Sequence, residues 1–355
     1  MIIVHNEVTA INFLIFEDDE PQVIWDAINK LQLVLHPRYA PEGKIEFHGF
    51  WQLCHEKNLI LLLDRNLLSS LLSLCEKGFL DNEREMRIVA LLMVWTQMND
   101  ISISAGIAIT ENASKLTDSN LAKIELQMFN EIFEFYPSMI WLKLTLGEID
   151  EIPPCQFSRI PYDTAIAYHK ENDHLLMSLA CMLHIVYLYR QKNLSAVDKV
   201  IAFLKWNCEN LLISQYTNTY ITMLFSNQEY IKPPKGVNSG NFETIWKGCY
   251  NQAWDISYLS NWSTVYCDES KTNEVFLFAT ADVMLKRIFI NTHGNEYGDL
   301  VSAAFPKKQA KQVLDFCVDN IVNNRVKPNF GNNPQEYFRN LIEREKQRVM
   351  DILPE

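Results

Sequence analysis

Two short apolar runs, Leu59-Ile60-Leu61-Leu62-Leu63 and Val275-Phe276-Leu277-Phe278, each lead within a few residues to an aspartate, Asp64 and Asp282. Apolar runs of that length, bounded by polar residues, read as strands buried on both faces, the habit of a parallel sheet covered by helices. Two further carboxylates stand where helices begin or run: Glu111 in Ala108-Ile109-Thr110-Glu111-Asn112 and Asp255 in Ala253-Trp254-Asp255-Ile256. Ligands and reacting groups of open α/β sheets gather just beyond the carboxyl ends of the strands. Acids delivered there from several elements make a candidate site for a divalent metal and for hydrolysis.

Composition narrows the alternatives. In 355 residues, 48% apolar and 12% aromatic side chains supply a real core and exclude general disorder. The 11 glycines and 13 prolines are too few for a sandwich of many tight turns. A formal charge of -12 opposes a broad, non-specific coat of nucleic acid but leaves room for a local acidic pocket neutralised by metal. The eight cysteines stand singly with no Cys-x-x-Cys, which predicts free thiols in a reducing compartment and no zinc site. The start, Met-Ile-Ile-Val-His-Asn-Glu, lacks the layout of a secretion signal, and Leu175–Tyr189 is too short to span a bilayer. A soluble, cytoplasmic protein with no membrane partner is expected.

Along the chain, a strand is expected near 11–16, then a helix opened by Glu17-Asp18-Asp19-Glu20-Pro21 and running to about Leu35. His36–Gly43 reads as a loop, and 49–57 as a helix leading into the first core strand. Helices follow to Lys77-Gly78 and over 82–98, with 101–108 a second strand or a turn into the helix of Glu111. Residues 117–240 carry long helical patterns at 118–136, 161–191 and 195–229 and no strand. A helix over 242–259 carries Asp255, and a last strand is expected at 288–291. Helices near 307–323 and 334–352 close the chain. The division expected is an N-terminal extension (1–56), a split α/β core (57–116 and 241–295), a helical insertion (117–240) and C-terminal helices (296–355).

At this point the residues resemble a known family. Leu61-Leu62-Leu63-Asp64-Arg65-Asn66 resembles the opening of PIN-domain nucleases, a strand ending in Asp with Asn two residues on. Phe278-Ala279-Thr280-Ala281-Asp282 resembles their late strand ending in Thr-x-Asp, and Glu111 and Asp255 follow the family's order of helix-borne acids. The resemblance covers roughly residues 57–116 and 242–292. It implies an α/β fold, a PIN-like parallel sheet flanked by helices, here with a mostly helical insertion and helical tail. It also implies Mg²⁺ or Mn²⁺ held by Asp64, Glu111, Asp255 and Asp282, with Asn66 and Thr280 orienting water or an acid. The implied activity is endonucleolytic cleavage of nucleic acid, RNA rather than DNA, as in toxins or defence effectors of the family. Two departures stand out. The stretch between Glu111 and Asp255 is longer than a compact PIN domain needs, which lets Asp163 and Asp173 compete. Arg65 replaces a residue that is usually small and is a candidate phosphate contact.

Other signals are weaker. His169 and His174 lack the i, i+4 spacing of a helical zinc pair, and His184 reads as a core histidine. No phosphate-binding glycine loop and no Gly-x-Ser-x-Gly elbow occurs. From Asp282 onward 11 Lys and Arg face 10 Asp and Glu, so the acidic excess lies earlier and the tail is the candidate phosphate-facing surface. The rival to a nuclease is a PIN-like scaffold that no longer cuts and binds a partner through the helical insertion.

Overall fold

The computed structural model describes residues 14–17, 19–160 and 172–354. Half of the expected strand near 11–16 falls outside them, and its described part, from Leu14, is not a strand. Contacts divide the chain into two compact units, Met1–Lys170 with Trp262–Asp282, and Glu171–Asn261 with Val283–Glu355.

The first unit is α/β. Helix α1 (Glu20–Leu31) starts with a proline in its first turn and buries Ile24, Trp25 and Ile28. It stops sooner than expected, because Gln32 turns left-handed, and Val34–Leu35 form a two-residue strand, β1. After α2 (Phe47–Glu56), β2 (Asn58–Leu63) runs through the core, followed by α3 (Arg65–Lys77), which Gly78 ends at a φ of 86°. Helix α4 (Glu83–Met98), β3 (Ser102–Ser104), α5 (Gly106–Leu116), α6 (Ser119–Phe135) and α7 (Ser138–Leu146) complete the first stretch. The last strand, β4 (Glu274–Ala279), arrives from far along the chain.

These make a four-stranded sheet in the order β1-β4-β2-β3. Strands β4 and β3 both lie parallel to β2, and β1 is antiparallel to β4. The sheet is therefore mostly parallel, with an antiparallel edge supplied by the segment expected to be a mere extension. Leu59, Leu61 and Leu63 join a core with Leu68, Trp95 and Leu277, while Ile60, Leu62, Phe276 and Phe278 are buried as well. Burial on both faces explains why the strands read as unbroken apolar runs. Helices α6 and α7, expected to belong to the insertion, pack in this unit; Tyr136, for example, donates to the carbonyl of Cys75.

A buried knot ties the exit of β1 to the start of β4. His36 Nε2 lies 3.1 Å from Glu269, and its Nδ1 accepts from the backbone N–H of Arg38 and Tyr39. Glu269 also accepts from Arg38 and from the N–H of Phe276 at 2.8 Å. With Nδ1 accepting, Nε2 carries the proton, and burial holds the imidazole below its ordinary pKa.

The second unit is helical among its described residues. Helix α8 (Asp173–Arg190) and α9 (Ala196–Asn210) are followed by α10 (Gln215–Phe225) and by α11 (Phe242–Asp268), whose last turns belong to the first unit. The single helix expected over 195–229 is broken at Leu211, which is extended, and Ser214 caps the next helix by accepting from Thr217 N–H. Then come α12 (Val283–His293), α13 (Tyr297–Ala304), α14 (Lys307–Phe316), a π-helical turn at Cys317–Val322, and α15 (Pro334–Met350). The strand expected at 288–291 lies inside α12. Its apolar residues bury one helical face with Leu285, and so short a run does not separate helix from strand by period alone.

Within this unit Glu345, 1% exposed, accepts from Trp206 Nε1 at 3.0 Å and pairs with His184 Nδ1 at 2.8 Å. The imidazole stacks on the Trp206 ring at 4.2 Å. His184 is the satisfied core histidine expected of it. Several tail cations are engaged within the unit rather than free for phosphate. Lys346 pairs with Glu343 and sits 4.2 Å above the Trp246 ring, and Arg325 donates to the Leu211 carbonyl. Lys307, Lys308 and Lys311 are exposed. All eight cysteines are free. Among the described residues, no helix is long and apolar enough to cross a membrane.

Candidate active site

Asp64 and Thr280 stand side by side because β2 and β4 run parallel in register, Leu63 opposite Ala279. The N–H of Asp64 donates to the Ala279 carbonyl at 3.1 Å, extending the ladder one residue past the strand. Beyond that point β2 turns into α3, and Asp64 caps it by accepting from the Leu67 N–H at 2.8 Å. Its other oxygen accepts from the Thr280 hydroxyl, and that hydroxyl accepts in turn from the N–H of Asp282 at 3.0 Å. One threonine thus joins the two strand-end aspartates.

Asp64 is 2% exposed. Burial pushes its carboxyl up from 3.8 to about 6, against the pull of the Leu67 and Thr280 hydrogen bonds, and the charges of Asp282 and Glu111 push the same way. Two of the other expected acids therefore act on Asp64 within one unit. A carboxylate has about four acceptor sites, so capping and the threonine leave Asp64 with capacity to spare.

The remaining residues are placed as follows. Glu111 is buried on α5 and paired with Lys115 one turn on. Asp282, half-buried, directly precedes α12. Asp255 belongs to the other compact unit, on α11, where it accepts from Gln252 at 3.2 Å. Asn66 is exposed in the first turn of α3. The competitor Asp173 is exposed at the start of α8, and Asp163 and His169 lie outside the described residues.

Arg65, the candidate phosphate contact, is engaged within the unit. Its guanidinium forks onto Glu125, with Nη1 at 2.7 Å and Nη2 at 2.9 Å, and also reaches the Ala108 carbonyl. It ties α3 to α5 and α6. Glu125, 6% exposed and also bonded to Asn112 at 2.6 Å, is a site neighbour that sequence reasoning missed. Its signal was there: an acid on the same helical stripe as Ala122, Phe129 and Ile132.

The acids offer hard oxygen donors, the chemistry that suits Mg²⁺ or Mn²⁺. Among the described residues, no group of three or more His, Cys, Asp or Glu is disposed to hold a metal ion. A closed protein cage is thus not what the described residues form. Mg²⁺ needs none: it keeps several waters and is bound through one or two carboxylates. Asp64 and Asp282 fit that requirement.

No family model, curated protein or solved structure matches this chain.

Proposed function

We propose that the β2 and β4 strand ends form a Mg²⁺- or Mn²⁺-dependent site for hydrolysis of phosphodiester bonds in nucleic acid, RNA by the PIN resemblance. The observation that carries this is the Asp64–Thr280–Asp282 linkage at the carboxyl ends of two adjacent parallel strands, with Glu111 in electrostatic reach. Helix capping accounts for one oxygen of Asp64. It does not account for a buried aspartate held where two other carboxylates raise its pKa.

Asp64 and Asp282 would hold the cation, and Thr280 fixes the orientation of the Asp64 carboxylate toward it. When bound, the cation supplies a Lewis acid for water and for the phosphoryl oxygens. A positive charge there also relieves the mutual repulsion of the acids and favours ionised Asp64. The burial of Asp64 keeps bulk water from screening that charge.

Labelled RNA and DNA pools incubated with Mg²⁺ or Mn²⁺ test the reading. RNA should be cut only with metal, and folded Asp64→Asn and Asp282→Asn should lose about a hundredfold or more in rate. Cutting that survives both substitutions, or needs no metal, refutes it. The Glu111–Lys115 pair favours a second reading, a PIN-like scaffold that binds without cutting. A folded wild type inert toward every pool would favour the scaffold.

A further inference from the structure

The helical unit carries a cavity of about 500 Å³, bounded by α10, the end of α12, the start of α13 and the π-helical turn at Cys317–Val322. Its volume lies within the span of small-molecule sites, about 300–1,000 Å³. Its lining is unusual in kind. Carboxamides come from Gln215 and Asn218 on α10 and from Asn291 and Asn295 at the end of α12 and just past it. Hydroxyls come from Thr219, Thr292 and Tyr297. Among the described residues, Glu296 is the one charged residue in the lining, and no lysine or arginine contributes.

Two observations mark this as more than a surface dent. Asn218 is 7% exposed, and among the described residues its Oδ1 has no hydrogen-bond partner. Buried amide oxygens nearly always find a donor, so an orphan beside a cavity calls for one from outside the chain. Part of the wall is a π-helical turn, a widened backbone ring frequent at functional sites. Some of the polar groups are already fixed. Thr292 donates to Thr219 at 2.9 Å, and Tyr297 and Thr222 hydroxyls lie 2.8 Å apart. Asn291 Nδ2 donates to the Arg287 carbonyl at 2.8 Å, which leaves its Oδ1 and the amides of Gln215, Asn218 and Asn295 as the groups that could turn toward a ligand.

We propose that this cavity binds an uncharged nucleobase, free as a nucleoside or presented by a single strand. A carboxamide presents a donor and an acceptor side by side and pairs bidentately with the like edge of a base, as Asn and Gln do with adenine. Four such groups around one cavity match a flat ligand with several edges better than they match an anion. A phosphate finds no cation in the lining and meets Glu296. The apolar part, Ile321, Val322 and the Tyr297 ring, offers surface to the face of a base. This inference does not rest on the hydrolytic reading, since every residue named belongs to the helical unit and none to the strand-end acids.

Isothermal titration of the full chain with adenosine, guanosine, cytidine and uridine tests it, beside their 5′-monophosphates, glucose and a single-stranded RNA octamer. At least one nucleoside or the octamer should saturate. Gln215→Ala and Asn295→Ala, both at exposed positions, should each weaken that binding about tenfold, a difference of about 1.4 kcal/mol. The 5′-monophosphate should bind no more tightly than its nucleoside. Binding by nucleoside means a free ligand, and binding by octamer alone means a base within a strand. The inference is overturned if neither saturates with folded protein, if both substitutions leave affinity unchanged, if the monophosphate binds more tightly, or if glucose competes equally.

Discussion

Asp64→Asn should make the protein more stable at neutral and alkaline pH. In the folded chain the Asp64 carboxyl is raised from 3.8 to about 6, with burial the first cause. Stability from such a group is complete below its unfolded value and is lost as pH rises through its folded value. The interval is about two pH units, and at about 1.4 kcal/mol each the ionised carboxylate costs about 3 kcal/mol above pH 6. Asparagine removes that cost and keeps the rest. Its amide oxygen still caps α3 by accepting from the Leu67 N–H, and its amide N–H, standing where the second oxygen stood, donates to the Thr280 hydroxyl oxygen. The variant should therefore gain up to about 3 kcal/mol at pH 8, about 1 kcal/mol at pH 4.5 and almost nothing at pH 3. Urea denaturation of both proteins across that range reads the difference, and subtraction cancels every other titrating group. Millimolar Mg²⁺ should narrow the gap at pH 8 by stabilising the wild type alone. A variant less stable than wild type at pH 8, or a difference that does not change with pH, would refute the reasoning.

Three other expectations concern buried ionisable groups. Glu345→Ala strips the acceptor from both His184 and Trp206 and should cost about 3 kcal/mol, read as a lowered melting temperature. An unchanged melt would mean the cluster holds nothing. Burial lowers the His184 pKa below 6.5, so its contribution to stability is present above 6.5 and lost as pH falls toward the folded value. A ring titration by NMR with a midpoint at or above 6.5 would contradict this. Arg65→Ala leaves Glu125 buried with only Asn112 and should cost about 3 kcal/mol, and Arg65→Lys, which cannot fork, should recover only part. A loss under about 0.5 kcal/mol in the alanine variant would show that the pair does not position α3 and α6.

The strand-end pair was legible because parallel strands buried on both faces leave unbroken apolar runs, and each run here leads to an acid. Thr280 was legible for the same reason, being two residues from Asp282 in a pattern with a known use. What escaped was set by partners far away in sequence. Strand β1 has two residues, too few to show a period, and exists because Ala279 and Phe278 pair with it. The run around Ile288 looked like a strand because three consecutive apolar residues suit a helix face equally well. The break at Leu211 has neither glycine nor proline to announce it; only the Ser214 cap hinted at a new start. Arg65 looked free because Glu125, its partner, sits on a helix that the sequence assigned to an insertion.

The order of the sheet also has a consequence for how the chain is made. Strand β4 lies between β1 and β2, yet it is synthesised about 200 residues after β2. At about 5–20 residues per second, a ribosome leaves that central slot vacant for about 10 to 40 s. During this time the inner edge of β2 offers unpaired backbone groups to any passing strand, the usual invitation to misassembly. The threonine and aspartate of the proposed site are the next residues to emerge after β4. The two aspartates can therefore meet only when the sheet closes, and no chain that stops short of β4 carries the assembled pair.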